Sequence, residues 1–172
     1  MSKARGSSEA SEFLEQIRSL PLTRLLRCEH GTSISAVHMA ATSSLYRAKR
    51  LYAVRLKEAL APLDLNEARY EILALLWASE KAALSGIELR EAMLVHPATL
   101  TYTIHSLVES GLVLRKQVPT DRRSFVVMIT AKGTALAAKA TEALNEIDFG
   151  IGELSADQAR ELSKLLLKLE RS

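Results

Sequence analysis

The sequence predicts a mainly α-helical protein with one β-hairpin, and three observations indicate this class. Apolar residues recur at helical spacing through most of the 172 residues. The pattern changes to runs of β-branched and apolar residues at 112–118 and 125–130, which are typical of strands. Hydrophobic residues make up 48% and charged residues 25%, a composition that favours a globular protein over a disordered or fibrous one.

The N-terminal part of the chain is predicted to form an extension and then a long helix. A short helix is expected at 12–20, where Pro21 ends it. A helical pattern without Pro or Gly runs from about 34 to 60, and Pro62 stops it. The predicted division is an N-terminal extension at 1–33, helical arms at 34–62 and 133–172, and a lobe at 63–132.

Three shorter helices are predicted within the lobe, because residues that typically begin or end helices mark their termini. Asn66 is an expected N-cap for the first helix. Ser85 and Glu88 match a capping box, which opens the second helix at its N-terminus. Pro97 suits the first turn of the third helix, and Gly111 ends it.

A basic hairpin follows these helices, and its two strands are joined by a polar turn at 119–123. Two short helices followed by a hairpin define a winged helix-turn-helix, in which the second helix of the pair reads the DNA major groove. The expected architecture is therefore a winged helix-turn-helix lobe with a two-stranded wing and long terminal dimerisation helices. The segment 112–132 carries one acidic residue, Asp121, and the basic residues Arg115, Lys116, Arg122, Arg123 and Lys132.

The second helix of the motif has two distinct faces at about 100° per residue. Leu100, Ile104 and Leu107 fall together and are predicted to face the core, with Val108 at their edge. The opposite face is small and polar, and an ordinary solvated helix face would have the same composition. The residues predicted to bind DNA are Ala98, Thr99, Tyr102, His105 and Ser106 on this helix and Lys116, Arg122 and Arg123 on the wing, with Asp121 fixing the geometry of the wing.

The adjacent wing arginines favour DNA binding over the alternative of a solvated surface. Exposed charges contribute little to stability. Arginines at a hairpin tip fit phosphates or a narrow minor groove well.

The stretch HPATLTYTIHSLVESGLVLRKQVPTDRRSFVVMITAKG resembles the signature of MarR-family transcription regulators. Its three parts, in order, are 107–113, Asp-Arg-Arg at 121–123 and Ile-Thr-Ala-Lys-Gly at 129–133. Val108 stands where the family usually has Glu. The resemblance covers roughly residues 36–170.

The resemblance implies a homodimer of winged-helix lobes that binds near-palindromic promoter DNA and is often released by a small ligand. The family often has Arg at the position of Tyr102. Because Tyr offers a hydroxyl and a ring in place of a bidentate guanidinium, the resemblance does not carry over a base preference.

Apolar stripes on the two C-terminal helices favour dimerisation independently. Such stripes are expected to have too little local core to cover them, so a two-fold interface would bury them. An intramolecular helical bundle is the alternative. One stripe consists of Leu162, Leu165, Leu166 and Leu169, and the other of Ala135, Leu136, Ala140, Ala143, Leu144 and Ile147.

A basic run without acids at 47–57 suggests either a solvated helix face or a cationic wall for an anionic effector. Nearby aromatic residues are either plain core or the lining of a pocket. Under the second interpretation the effector is a small amphipathic anion, such as an aromatic carboxylate or an acyl-CoA. The possible effector pocket comprises Tyr46, Arg50, Tyr52, Tyr70 and Trp77.

Several other classes of function lack support in the sequence. The single cysteine, Cys28, excludes an internal disulfide and fits a reducing cytoplasm, and a structural or incidental role is favoured for it. The histidines show no ligand spacing, so no metal site or cofactor is predicted. No nucleophile–base pair or glycine-rich phosphate loop can be placed, and no segment is apolar enough to span a bilayer.

The sequence thus predicts a cytoplasmic homodimer that binds double-stranded DNA and regulates transcription, without enzymatic activity. Repression is favoured over activation, because an occluding dimer needs no contact surface for a polymerase. The main alternative is a winged-helix module that binds protein and does not bind DNA. An enzyme is the third and least favoured possibility.

Overall fold

The computed structural model describes residues 34–118 and 121–170, with the side chains of 34–36 and 121–123 excepted. The predicted extension at 1–33, with its short helix and Cys28, lies outside these residues. So do Pro119 and Thr120 of the wing turn. The chain forms two compact units, residues 1–51 and 52–172.

The long predicted helix is confirmed as α1, which spans Ile34–Leu60 and contains the boundary between the two units. A short 3₁₀ helix, Ala61–Leu63, follows it directly. Pro62 lies inside this 3₁₀ helix, and because proline has no backbone N–H it cannot continue an α-helix.

The three predicted helices of the lobe are α2 (Glu67–Ala78), α3 (Gly86–Met93) and α4 (Pro97–Glu109). The Asn66 side chain accepts a hydrogen bond from a backbone N–H in the first turn of α2, at 2.9 Å, as its N-cap position predicts. Ser85 caps α3 in a complete capping box, in which both reciprocal hydrogen bonds are present.

The wing is part of a three-stranded antiparallel sheet of order β1-β3-β2. Its strands are β1 (Ala83–Ser85), β2 (Val113–Val118) and β3 (Asp121–Ile129). The hairpin of β2 and β3 is confirmed. Strand β1 was not predicted, because three residues are too few to show an alternating pattern. Strand β3 begins at Asp121, so the predicted turn was too long and the residues 121–123 belong to the strand.

The chain ends in α5 (Ala131–Asn145), a 3₁₀ helix (Asp148–Gly150) and α6 (Ala156–Glu170). A glycine is required in the first turn of α5, because a Cβ atom on Gly133 would lie 2.2 Å from the backbone oxygen of Leu112. This close approach places α5 directly behind the hairpin.

The hydrophobic core of the second unit extends beyond the predicted lobe at 63–132. It includes Leu56 and Leu60 from α1 and Ala137, Ala140 and Leu144 from α5. The expectation that the α5 stripe is left uncovered is therefore wrong for Ala140 and Leu144, which are buried where α5 packs against α2, whereas Ala135 of the same stripe is exposed. By contrast, α6 has no buried residue, and most of its stripe, namely Leu162, Leu165 and Leu169, is exposed.

Candidate nucleic-acid interface

The helical phase predicted for α4 is confirmed. Leu100, Ile104 and Leu107 are buried in the core, whereas Tyr102 on the opposite side is 78% exposed. Thr103 is also buried, and its hydroxyl donates a hydrogen bond to the backbone oxygen of Thr99 at 2.9 Å. The polar face of α4 is therefore exposed to solvent and is not used in packing, so it is available to bind a partner.

The structure places the other predicted α4 residues on or beside this exposed face. Ala98, Thr99 and His105 are exposed, and Ser106 is half-buried. His105 lies 3.3 Å from a carboxylate oxygen of Glu109, its neighbour one turn on. Glu109 is the last residue of α4, so its carboxylate lies at the C-terminal end of this face, away from the first turn.

The N-terminus of α4 is capped without a negative charge. The Nδ1 atom of His96, the N-cap residue, accepts a hydrogen bond from the backbone N–H of Ala98 at 3.2 Å. The first turn contains no acidic residue. The positive end of the helix dipole is thus open to an anionic group such as a phosphate.

The C-terminus of α4 is held by two basic residues from other elements. Lys132 donates a hydrogen bond to the backbone oxygen of Ser110 at 2.9 Å. Arg69 of α2 donates to the Ser110 hydroxyl at 2.9 Å, and that hydroxyl donates to the backbone oxygen of Ser106 at 2.8 Å. Cations at a helix C-terminus are favourable, so these contacts stabilise α4 and fix its direction.

The contacts of Lys132 and Arg69 with the C-terminus of α4 were not predicted from the sequence. The sequence groups Lys132 with the basic residues of the wing, but the structure shows that it binds the end of α4. No sequence pattern around Arg69 indicates its contact with Ser110, because Ser110 lies 41 residues further along the chain. Only the placement of α2 beside α4 brings them together.

Both strands of the wing contain basic residues. Lys116 on β2 is exposed. The guanidinium of Arg115 lies 4.0 Å from the centre of the Phe125 ring, a cation–π contact that occupies this arginine within the wing. Asp121, Arg122 and Arg123 open β3, where Val118 is the strand partner of Asp121.

The predicted effector residues are only partly brought together. Tyr52 and Tyr70 line one cleft in the second unit. Trp77 does not line it, and its side chain is 43% exposed. Tyr46 and Arg50 are exposed on α1, in the first unit.

The charged residues that line this cleft are Glu67 and Glu71, so the cationic rim expected around the tyrosines is not present there. Burial raises the pKa of Glu71, and the nearby carboxylate of Glu67 raises it further. Burial also raises the pKa of the Tyr52 hydroxyl, with the two glutamates adding to the effect.

Arg55, from the same basic run, has a structural partner. Its guanidinium donates two hydrogen bonds to the Glu153 carboxylate, at 2.9 and 2.5 Å, and one to the backbone oxygen of Gly150 at 2.7 Å. The contact lowers the pKa of Glu153. Arg55 therefore joins α1 to the segment before α6 and does not contribute to a cationic wall.

Metal-binding and membrane-spanning features are absent from the part of the chain that the structure describes. Within 34–118 and 121–170, no group of three or more His, Cys, Asp or Glu side chains could hold a metal ion. In the same residues, no helix is long and apolar enough to cross a membrane.

This protein has a winged helix-turn-helix, formed by the helices α3 and α4 and the basic wing that follows them. Comparison with known proteins identifies its family. The MarR family model matches residues 65–125. An HTH-type transcriptional repressor of Mycobacterium tuberculosis is 31% identical over 126 residues, which cover 73% of this chain and 89% of the relative. The chain therefore belongs to the MarR family of transcription regulators, and the resemblance seen in its sequence is confirmed.

Solved structures agree with this assignment. A MarR family transcriptional regulator from Streptomyces coelicolor superimposes with a TM-score of 0.71 at 34% identity, over 77% of this chain and 92% of that one. A mutant of Escherichia coli MarR in complex with operator DNA gives a TM-score of 0.67 at 24% identity, over 80% of this chain and 99% of that one, which supports the fold alone.

Proposed function

We propose that this chain is a transcriptional repressor that binds operator DNA as a homodimer. The observation that carries the proposal is the geometry of α4, whose inner face is buried and whose polar outer face begins at an acid-free N-terminus. Such a helix can enter the major groove while its N-terminal end meets a phosphate. The repressor of Mycobacterium tuberculosis supports repression as the mode of action.

The proposed contacts divide into base-reading and phosphate-binding residues. Thr99, Tyr102 and Ser106 on α4 carry hydroxyls that can hydrogen-bond to base edges, and Ala98 and His105 flank them. Lys116, Arg122 and Arg123 on the wing bind the backbone or the adjacent minor groove, and Asp121 sets the geometry of the wing.

The exposed stripe on α6 supports the homodimer. A contiguous row of leucines on the surface of a soluble protein is unfavourable, and a two-fold copy of the same helix would cover it. Two lobes joined in this way place their α4 helices for successive major grooves about 34 Å apart. A regulator of this kind acts in the cytoplasm and needs no catalytic chemistry, and a small ligand releases it by favouring an incompatible spacing.

Replacing both wing arginines by alanine tests the proposal. Arg122→Ala with Arg123→Ala should weaken binding to many DNA sequences alike, and the slope of log K against log salt should fall by about one unit for each phosphate that the variant no longer neutralises. Fluorescence anisotropy over a salt series measures both quantities. The matched control is Lys49→Ala with Lys57→Ala, which removes two exposed charges from α1. Equal salt slopes for the two double variants would reject the wing assignment.

A second substitution separates base reading from packing. Tyr102→Phe removes one exposed hydroxyl and should change the preferred bases or lower operator affinity while the fold stays intact. Ile104→Ala should instead destabilise the lobe by about 2–5 kcal/mol, because Ile104 is buried. A binding selection over randomised DNA, together with thermal unfolding, measures both effects. An unchanged selection profile for Tyr102→Phe counts against base reading by this residue.

A further inference from the structure

The cleft between the C-terminal half of α1 and α2 has a volume of about 400 Å³, within the range of roughly 300–1,000 Å³ that is typical of small-ligand sites. All of its lining residues lie in the second unit. Their side chains combine aromatic and apolar groups with two carboxylates. The lining residues are Tyr52, Leu56, Glu67, Tyr70, Glu71, Ala74, Leu75 and Ala78.

Among the described residues, the lining of the cleft contains no basic side chain to balance its two carboxylates. Glu67 and Glu71 are one helical turn apart on α2, where like charges destabilise each other. In the described residues, 34–118 and 121–170, neither forms an ion pair with a Lys or Arg side chain. Burial raises the pKa of Glu71, so the fold holds this carboxylate in a place that disfavours its charge.

We infer that this cleft binds an organic cation with an apolar body, such as an aromatic amine or a quaternary ammonium compound. Two tyrosine rings and two carboxylates form a set that attracts a cation through cation–π and direct electrostatic interactions. The apolar side chains of Leu56, Ala74 and Leu75 suit the body of such a ligand. An anion of the same size would be repelled by Glu67 and Glu71, which reverses the charge expected from the sequence.

The cleft is connected to α4 through α2. Arg69 lies directly before Tyr70, and its guanidinium binds the Ser110 hydroxyl at the end of α4. The Arg69 side chain is only 14% exposed, and its Nε atom is buried with no hydrogen-bond partner among the described residues. A ligand that shifts α2 would strain this contact and thereby move α4. This regulatory step rests on the proposed function as an operator-binding repressor.

The binding test uses three probes of similar size on the full chain: benzyltrimethylammonium, phenylacetate and 2-phenylethanol. The single tryptophan, Trp77, precedes the lining residue Ala78 and reports binding by fluorescence, and calorimetry gives the affinity. We expect the cation to bind more tightly than the other two probes. Glu67→Gln with Glu71→Gln should weaken the cation about tenfold, which is about 1.4 kcal/mol. The matched control, Glu91→Gln, removes an exposed carboxylate from α3 and should leave the affinity unchanged.

The outcomes separate the site from its role. Tighter binding of phenylacetate or 2-phenylethanol, or an unchanged cation affinity in the double variant, overturns the inference. Titrating the cation into the protein–operator complex tests the regulatory step independently. Cation binding without DNA release keeps the site and refutes its connection to α4. Failure of the unliganded protein to bind any operator DNA counts against the proposed function and leaves the cleft measurement intact.

Discussion

The two helices that follow the wing, α5 and α6, both carry an apolar stripe, but only α5 has buried stripe residues within the second unit. Ala137, Ala140 and Leu144 of α5 are completely buried. On α6, Leu165 is 51% and Leu169 is 64% exposed. A stripe thus shows that a helix needs a partner, whereas the rest of the fold decides whether that partner lies in the same chain.

The side chains on the two helices account for the difference. The buried positions of α5 include two alanines, which allow the helix to pack closely against α2, and Gly133 permits the same closeness at its first turn. The stripe on α6 consists of leucines, and ion pairs such as Arg160–Asp157 lie elsewhere on its surface. A helix with an exposed row of leucines is expected to pack against the same helix of a second copy of the chain and not against the core of its own chain.

The largest expected effect comes from the buried stripe. Leu144→Ala should lower the free energy of unfolding by about 2–5 kcal/mol, because it removes three carbons from a completely buried site and leaves a cavity. Urea unfolding followed by circular dichroism measures it. The destabilisation should be the same at low and high protein concentration, since the packing lies within one chain. A destabilisation that disappears at high concentration would instead place Leu144 in a subunit interface.

The second effect concerns the exposed stripe. Leu165→Asp should shift the chain from dimer to monomer at micromolar concentration and leave the helical content of the lobe intact, because a charge is costly inside an apolar interface. Sedimentation velocity over a concentration series measures the shift. Lys164→Asp is the control, since Lys164 is also exposed on α6 but lies outside the stripe. If both variants remain dimeric, α6 is not the centre of the interface.

The features that were predictable from sequence are those encoded within a few residues. The Ser85–Glu88 capping box and the two faces of α4 depend on neighbours three to seven positions apart, and the structure confirms both. Strand β1 is too short to show a pattern. The pairing of Arg69 with Ser110 depends on packing between distant elements, which no local spacing encodes.

The candidate effector pocket shows the same limit. The sequence groups Tyr52 and Tyr70 correctly, but the basic run suggests the wrong charge for the cleft that they line. Arg55, inside that run, turns to Glu153 instead. A helix of many turns presents charges on every side, so a run of basic residues in sequence does not define which charge lines a neighbouring cleft.

The smallest expected effect is at the link between α1 and the segment before α6. The hydrogen bonds from Arg55 lower the pKa of Glu153 below the ordinary glutamate value of 4.5. A carboxylate whose pKa is lowered in the folded state adds stability that is present above its unfolded pKa and is lost as the pH falls through the folded pKa. Glu153→Gln should therefore lower the melting temperature slightly at pH 7, by at most about 2 °C because the pair is exposed. The difference from wild type should shrink as the pH falls below 4.5.

Differential scanning calorimetry at pH 7, 5 and 3 measures this trend. The control is Glu161→Gln, which breaks an ion pair with Lys164 inside α6 and does not touch α1. Because the Arg55 guanidinium joins two separate elements and also binds the Gly150 carbonyl, removing its carboxylate partner should lower the melting temperature at pH 7 more than the control does. Equal decreases in the two variants would mean that the link adds no more than an ordinary surface ion pair.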